Sequence, residues 1–585
     1  MANISSTNPT LTGSEILWAT LAGENVTTVF GYPGGAILPI YDALRNFPTI
    51  HHVLVRHEQG ASHMADGYAR ASGKVGVCMA TSGPGATNLV TGLATAMLDS
   101  IPMVAITGQV SSKVLGSDAF QEVDITGITL PITKHNFLVT RAEDIAPTVR
   151  EAFQIAQSGR PGPVLVDITK DAQQASALFD FDAAKPAAYR PHPMLKVESP
   201  ALQQAIELIK SAKKPVILAG HGIVESGAQL EVRTLAETRQ IPIASTLLGL
   251  GAIPAEHPLQ LGMMGMHGES WVNNAIQEAD LLLALGMRFD DRVTGNLAHY
   301  APNAKKIHIE IDPSEINKNV RADVALIGDL KEVLTLLLPE LPKSSDTTWL
   351  KEINASKGTA AVRDIINLPD TGHLYAAHVI HDIWQEAKAA GRVEQTIIVT
   401  DVGQHQMWEA QYFKHEAARS LVTSGGLGTM GFALPAAIGA KFACPDKDVW
   451  VIAGDGGFQM TAAELSTIVQ EKLAINIAVI NNGFLGMVRQ WQETFYEKNY
   501  SASPILSPDF VMLAAAHGIA GANVSERKDV IPTVTKARTS GKAFLTNFQV
   551  IKEDGVYPMI APGAALHEMV RRPSKDPLLE TAEDE

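Results

Sequence analysis

Short runs of aliphatic and β-branched residues recur along the whole chain, each followed by a stretch whose apolar positions have helical spacing. The runs at 75–80, 104–107, 164–167, 216–219, 281–284, 307–310, 397–400, 449–453 and 477–480 are mostly apolar. Continuous apolar runs fit strands buried on both faces, and strands alternating with helices predict parallel α/β architecture. Two breaks interrupt the pattern. The stretch 179–200 is rich in Ala and Pro without clean periodicity, and 339–372 is polar at 343–348 and turn-rich at 368–370. These linkers predict three doubly wound parallel-sheet domains at 12–180, 198–340 and 373–570, each of a size that one α/β core supports. An internal echo relates the outer two. Residues 75–107 read strand, Gly-rich turn, helix, strand, and 449–481 repeat that order.

Composition narrows the function classes. The 585 residues exceed what one core holds, and 46% hydrophobic with 19% charged residues is ordinary for a globular protein. A net charge of −15 argues against a nucleic-acid or membrane-surface partner, which would want a basic footprint. Two cysteines, Cys78 and Cys444, exclude a disulfide framework and suit a reducing compartment. The polar N-terminus lacks a signal-peptide pattern, and no apolar run approaches the ~18–20 residues that span a bilayer. A cytoplasmic enzyme is expected, with a frayed acidic tail at 580–585.

The chemistry concentrates at Gly454-Asp455-Gly456 and Asn481-Asn482. Asp455 follows an apolar strand, where open α/β sheets bind ligands. Gly456 and Gly457 let the backbone approach a phosphate, with a helix expected from about Thr461 to offer its N-terminal dipole. Asn482 comes just after the next apolar strand, so parallel neighbours would set Asp455 and Asn482 side by side. A carboxylate and an amide oxygen there are hard ligands for Mg²⁺ at about 2.0–2.1 Å, with diphosphate and water completing the octahedron. A Gly-Asp-Gly turn alone is common; the sequence strand, GDG, helix, strand, NN is specific.

With these motifs the chain resembles thiamine-diphosphate enzymes, and nearly the whole of it resembles the catalytic large subunits of the acetohydroxyacid synthase (acetolactate synthase) family. The resemblance rests on FGYPGG from Phe30, RHEQGA from Arg56, TSGPGATN from Thr81, DAFQE from Asp118, SGRPGP from Ser158, GMRFDDR from Gly286, GQHQMW from Gly403, GGLGTMG from Gly425 and GMVRQWQ from Gly486. It implies that the outer domains are related thiamine-diphosphate-binding folds, that Asp455, Asn482 and the main-chain carbonyl of Phe484 hold Mg²⁺, and that Gly403, Gln404, His405, Gly428, Met430, Gly456, Gly457 and Asn482 contact the cofactor. Glu58 is the catalytic candidate. A carboxylate in an apolar, water-poor loop would hold its proton to higher pH, and the resemblance implies a hydrogen bond to the aminopyrimidine ring, so that the cofactor acts as its own base. Met430 is implied to bend the cofactor; by itself it reads equally as core filler.

The middle block is implied to hold FAD, in a non-redox role, at Arg160, Gly220, Gly222, Thr246, Leu247, His267, Gly286, Arg288, Arg292, Glu310, Ile311, Asp312 and Asp329. From the residues alone, Gly220-His221-Gly222 after a strand lacks the third glycine of a dinucleotide fingerprint, and nucleotide binding stays open beside a plain turn. Substrate handling is implied at Gly35, Phe120, Gln121, Lys170, Met266, Arg292 and Trp491. A 2-oxo acid carboxylate wants the planar fork of Arg, although Arg292 beside Asp291 also reads as half of an ion pair.

The implied reaction decarboxylates pyruvate and joins the two-carbon unit to pyruvate or 2-oxobutyrate, the first common step towards valine, leucine and isoleucine. A homodimer or homotetramer with a separate regulatory small subunit is implied too. Glyoxylate carboligases carry an apolar residue where Glu58 stands. Pyruvate oxidases lack the signature at 486–492, and flavin-free acetolactate synthases fit poorly with Arg288 and Arg292. A silent binding subunit would not need Glu58, Asp455 and Asn482 together. The GxGxxG match at 426–431 belongs to the pyrimidine loop, the P-loop look-alike at 67–74 has wrong spacing, and His57-Glu58 lacks the second His of a zinc protease.

Overall fold

A computed structural model describes residues 9–186, 195–360 and 372–572. The expected linkers lie partly, and the acidic tail wholly, outside the described residues.

Three six-stranded parallel sheets account for the strand-like runs. The first uses Thr28–Gly31, His51–Leu54, Gly76–Ala80, Met103–Gln109, His135–Val139 and Pro163–Thr169. Numbered by chain order within the sheet, its strands lie 2-1-3-4-6-5. The third uses Thr396–Thr400, Leu421–Thr423, Asp448–Gly454, Ile475–Asn481, Ala520–Val524 and Phe544–Gln549, again in the order 2-1-3-4-6-5. The internal echo is therefore a shared topology. The middle sheet, from Pro215–Ala219 to Val324–Ile327, runs 3-2-1-4-5-6, the doubly wound order of dinucleotide-binding folds.

Central strands such as Met103–Gln109 and Leu281–Leu285 are buried at every position, because helices cover both faces. The first and third sheets share one hydrophobic core. Helix Glu58–Ser72 crosses helix Ala433–Ala443 there, and glycines set the crossing. A Cβ on Gly67 would sit 2.1 Å from the Ala436 carbonyl oxygen, and one on Gly439 would sit 1.8 Å from that of Met64. Only hydrogen at both positions lets the backbones approach this closely.

Candidate functional site

A cavity of about 1600 Å³ opens where the three sheets meet. Ordinary ligand pockets hold about 300–1,000 Å³, so this one has room for a dinucleotide and a second ligand. Of the residues expected at a flavin, Arg160, Gly222, Thr246, Leu247, His267, Gly286, Arg288, Arg292, Glu310, Ile311 and Asp329 line it. Gly220 and Asp312 do not, and each has a physical reason. A Cβ on Gly220 would meet the Gly286 oxygen at 2.2 Å, so this glycine serves the contact between two strand-end loops. Asp312 pairs with Arg160 at 3.2 Å and accepts from the Ser314 amide at 2.9 Å. Glu310 is pushed up to about 7 by burial, even though it accepts from the Ile311 and Asp312 amides. Arg292 has a loose, exposed contact with Asp291 at 3.9 Å and donates to the Met266 sulfur at 3.5 Å, weak contacts that a ligand carboxylate could replace. Met266 and Trp491 line the same cavity, as do Gly403, Gly428 and Met430.

The diphosphate candidates form a corner beside it. Strand Asp448–Gly454 pairs in parallel with Ile475–Asn481, Gly454 opposite Ile480, so Asp455 and Asn482 leave neighbouring strands at the same edge. The helix expected near Thr461 begins at Asp455 itself and runs to Thr461. The difference comes from reading Gly456 and Gly457 as a turn, whereas they form the first helical turn, where amide groups lack intrahelical partners. Asp455 is 1% exposed, and burial pushes it up to about 6 despite a 3.0 Å bond from Ser507. A nearby cation would favour its charged form and draw the pKa back down. Asn482 lies 3.4 Å from Gln404, and a Cβ on Gly486 would meet the Gln404 Oε1 at 2.1 Å. The loops carrying Gln404, Asp455 and Asn482 thus converge. His405 accepts at Nε2 from the Gly454 amide at 3.2 Å, and burial lowers its pKa to about 4, so a neutral ring shapes the GDG turn. Among the described residues no group of three or more His, Cys, Asp or Glu could hold a metal. A Mg²⁺ site of one carboxylate, one amide, a main-chain carbonyl and phosphate oxygens needs no such group.

Met430 is half-buried on a loop held by Asp401, which accepts from the amides of Gly431 at 2.9 Å and Ala433 at 3.3 Å. Burial pushes Asp401 up to about 6.

Of the catalytic and substrate candidates, Glu58, Gly35, Phe120, Gln121 and Lys170 do not line the cavity. Glu58 is the first residue of helix Glu58–Ser72, where the sequence reading had a loop. Its Oε2 accepts from Asn88 at 2.9 Å, and it is half-buried. The Gly60-Ala61-Ser62 that follows has the composition of a loop, yet the helix is capped by His57, whose Nδ1 accepts from the Gln59 amide at 3.1 Å. Glu464 of the third sheet region accepts from the Arg56 and His57 amides at 3.0 and 3.1 Å. Lys170 donates to the Gly35 oxygen at 3.2 Å, and Phe120 is 88% exposed.

Asp401, Asp99 and Glu464 escaped the sequence reading. Asp401 directly follows strand Thr396–Thr400, and an acid at a strand's carboxyl end was the available signal. Asp99 and Glu464 act across the domain contact, which leaves no local pattern. Among the described residues no helix is long and apolar enough to cross a membrane.

Comparison with known proteins matches three families in order. They are the thiamine pyrophosphate enzyme N-terminal TPP binding domain at 11–128, the central domain at 202–337 and the C-terminal TPP binding domain at 401–548. The chain is 47% identical to the acetolactate synthase of Mycobacterium bovis over 572 residues, covering 96% of this chain and 91% of the relative. It is 47% identical to the acetolactate synthase large subunit of Corynebacterium glutamicum over 570 residues, 95% of this chain and 89% of the relative. It is 46% identical to that of Lactococcus lactis subsp. lactis over 578 residues, 97% of this chain and 98% of the relative.

Proposed function

The chain belongs to the acetolactate synthase large-subunit family of thiamine pyrophosphate enzymes, and from that premise we propose that it decarboxylates pyruvate and joins the two-carbon unit to a second 2-oxo acid. Pyruvate as acceptor gives 2-acetolactate and 2-oxobutyrate gives 2-aceto-2-hydroxybutyrate, the shared step towards branched-chain amino acids. The observation that carries the reading is the convergence of the Gln404, Asp455 and Asn482 loops beside a cavity walled by Met430, Arg292 and Trp491.

In this reading Asp455, Asn482 and the Phe484 carbonyl hold Mg²⁺, and the amides at the start of helix Asp455–Thr461 receive the diphosphate. Thiamine diphosphate, when bound, supplies the carbon nucleophile that accepts electrons as carbon dioxide leaves. The chain's own residues orient and shield. Met430 shapes the cofactor, Arg292 forks onto the acceptor carboxylate, and Trp491 gives a rigid wall that excludes water. Arg160, Arg288, Glu310 and Asp329 would hold FAD, which in this reading takes no part in electron transfer.

Glu58 would hold or move a proton at the aminopyrimidine ring. Glu58, Gly35, Phe120, Gln121 and Lys170 do not line this chain's cavity, which favours a site completed by a second copy of the chain. The exposed Phe120 ring suits such a contact. We therefore assign a homodimer as the least assembly, with a homotetramer as its extension. The relatives' designation as large subunits supports a separate regulatory small subunit. Cys78 and Cys444 are free thiols, which fits the cytoplasm.

The test offers purified protein pyruvate alone and pyruvate with equimolar 2-oxobutyrate, and measures both hydroxy acids. Formation of both products supports the reading. Acetaldehyde or acetyl phosphate as main product would replace the synthase assignment with a decarboxylase or an oxidase.

A further inference from the structure

Helix Val90–Asp99 belongs to the first sheet region, yet its last turns reach into the loop that carries Met430. The Asp99 carboxylate accepts from two successive amides of that loop, Gly425 at 2.9 Å and Gly426 at 2.6 Å. One turn earlier, the Thr95 hydroxyl lies 2.8 Å from that of Thr429. Thr95 also donates to the Thr91 carbonyl at 2.8 Å, so Thr429 is the donor between the two hydroxyls. Asp99 is 2% exposed and Thr95 fully buried. Arg70 fixes the carboxylate from behind at 2.8 Å and itself donates to the Thr423 carbonyl at 2.8 Å, just before the loop. Asp401 holds the far end through Gly431 and Ala433.

The loop between these anchors is glycine-rich, and such a segment is floppy unless its amides are engaged. Gly428 stands at φ +68°, and a Cβ there would touch only the Val402 Cγ1 at 3.8 Å. A Cβ on Gly426 would lie 2.5 Å from the Arg288 guanidinium and 2.8 Å from Asp99. The carboxylate therefore meets the loop where the middle region also touches it.

We infer that Asp99 and Thr95 are positioning residues, which set the Gly425–Met430 loop from the neighbouring sheet region and so fix the conformation in which thiamine diphosphate is received. The inference rests on the proposed function, because it takes that loop as part of the cofactor site. Neither side chain is placed against thiamine diphosphate, although Asp99 lines the large cavity; both act through backbone and hydroxyl contacts.

A purely structural role would lower stability and leave affinity alone, whereas a positioning role moves affinity. The test therefore titrates the full-length protein with thiamine diphosphate at saturating Mg²⁺ and reads tryptophan fluorescence. Circular dichroism and elution volume are recorded for each variant. Thr95→Val removes only the hydroxyl and should raise Kd about five-fold, while Thr95→Ser restores it. Asp99→Asn sets an amide against Arg70 and should raise Kd at least about ten-fold. Wild-type affinity in a folded Thr95→Val protein would overturn the inference even if Asp99→Asn fails to fold. A wild-type protein that binds no thiamine diphosphate would instead remove the functional reading beneath it.

Discussion

Gly439→Ala adds one methyl group at the tightest point between the first and third sheet regions. That Cβ would lie 1.8 Å from the Met64 oxygen and 2.8 Å from the Tyr68 nitrogen, against an ordinary contact of 3.4 Å or more. Both neighbours are backbone of helix Glu58–Ser72, so no side chain can swing aside. The helices must separate by more than an ångström, and overpacking of this kind costs about 1–3 kcal/mol. Alanine regains about 1 kcal/mol of helix propensity within Ala433–Ala443. Because rigid backbone bears the whole contact, the upper end of the packing cost applies, and net destabilisation of about 2 kcal/mol is expected. The chain has several cores, so the quantity to follow is the first transition in a urea titration, read by tryptophan fluorescence. A midpoint below the wild-type value supports the packing argument. An unchanged or raised midpoint would show that helix propensity outweighs contact and that the crossing is looser than the structure has it.

Glu58→Gln should keep the fold and lower turnover about 100-fold, as loss of a positioned proton-transfer group does; unchanged turnover would remove its catalytic role. If Glu58 serves a neighbouring copy's site, mixing inactive Glu58→Gln and Asp455→Asn chains should restore about a quarter of wild-type activity through mixed dimers. No recovery after subunit exchange would place both residues in one chain's site. Glu269 gives a pH signature. Burial raises its pKa from 4.5 to about 7, and its Oε2 has no hydrogen-bond partner among the described residues. The folded protein therefore binds the extra proton, and stability falls as pH rises from 4.5 to about 7. Glu269→Gln should remove this residue's share of that fall and exceed wild-type stability by about 1–3 kcal/mol at pH 8; parallel stability–pH curves for the two proteins would contradict it.

The strands were legible because parallel sheets buried on both faces leave unbroken apolar runs, as at 104–107 within Met103–Gln109. Asp455 and Asn482 were legible for the same reason, since each follows such a run. Helix starts were harder. Gly456 and Gly457 signal a turn by composition, and Glu58 opens a helix capped by His57, which is not one of the usual cap residues, while Glu464, more than 400 positions away, holds the amides just before it. A contact at that separation leaves no periodicity to read. Gly220 was legible as a special glycine but not in its purpose, which is contact with Gly286. Asp99 was invisible because its partners, Arg70, Gly425 and Gly426, are joined only by the fold.

The most direct test strips the protein with chelator and gel filtration, then supplies pyruvate with thiamine diphosphate and Mg²⁺ added singly and together. The account predicts 2-acetolactate only when both are present, and none from Asp455→Asn under the same conditions. Carbon–carbon product formed without thiamine diphosphate would contradict it.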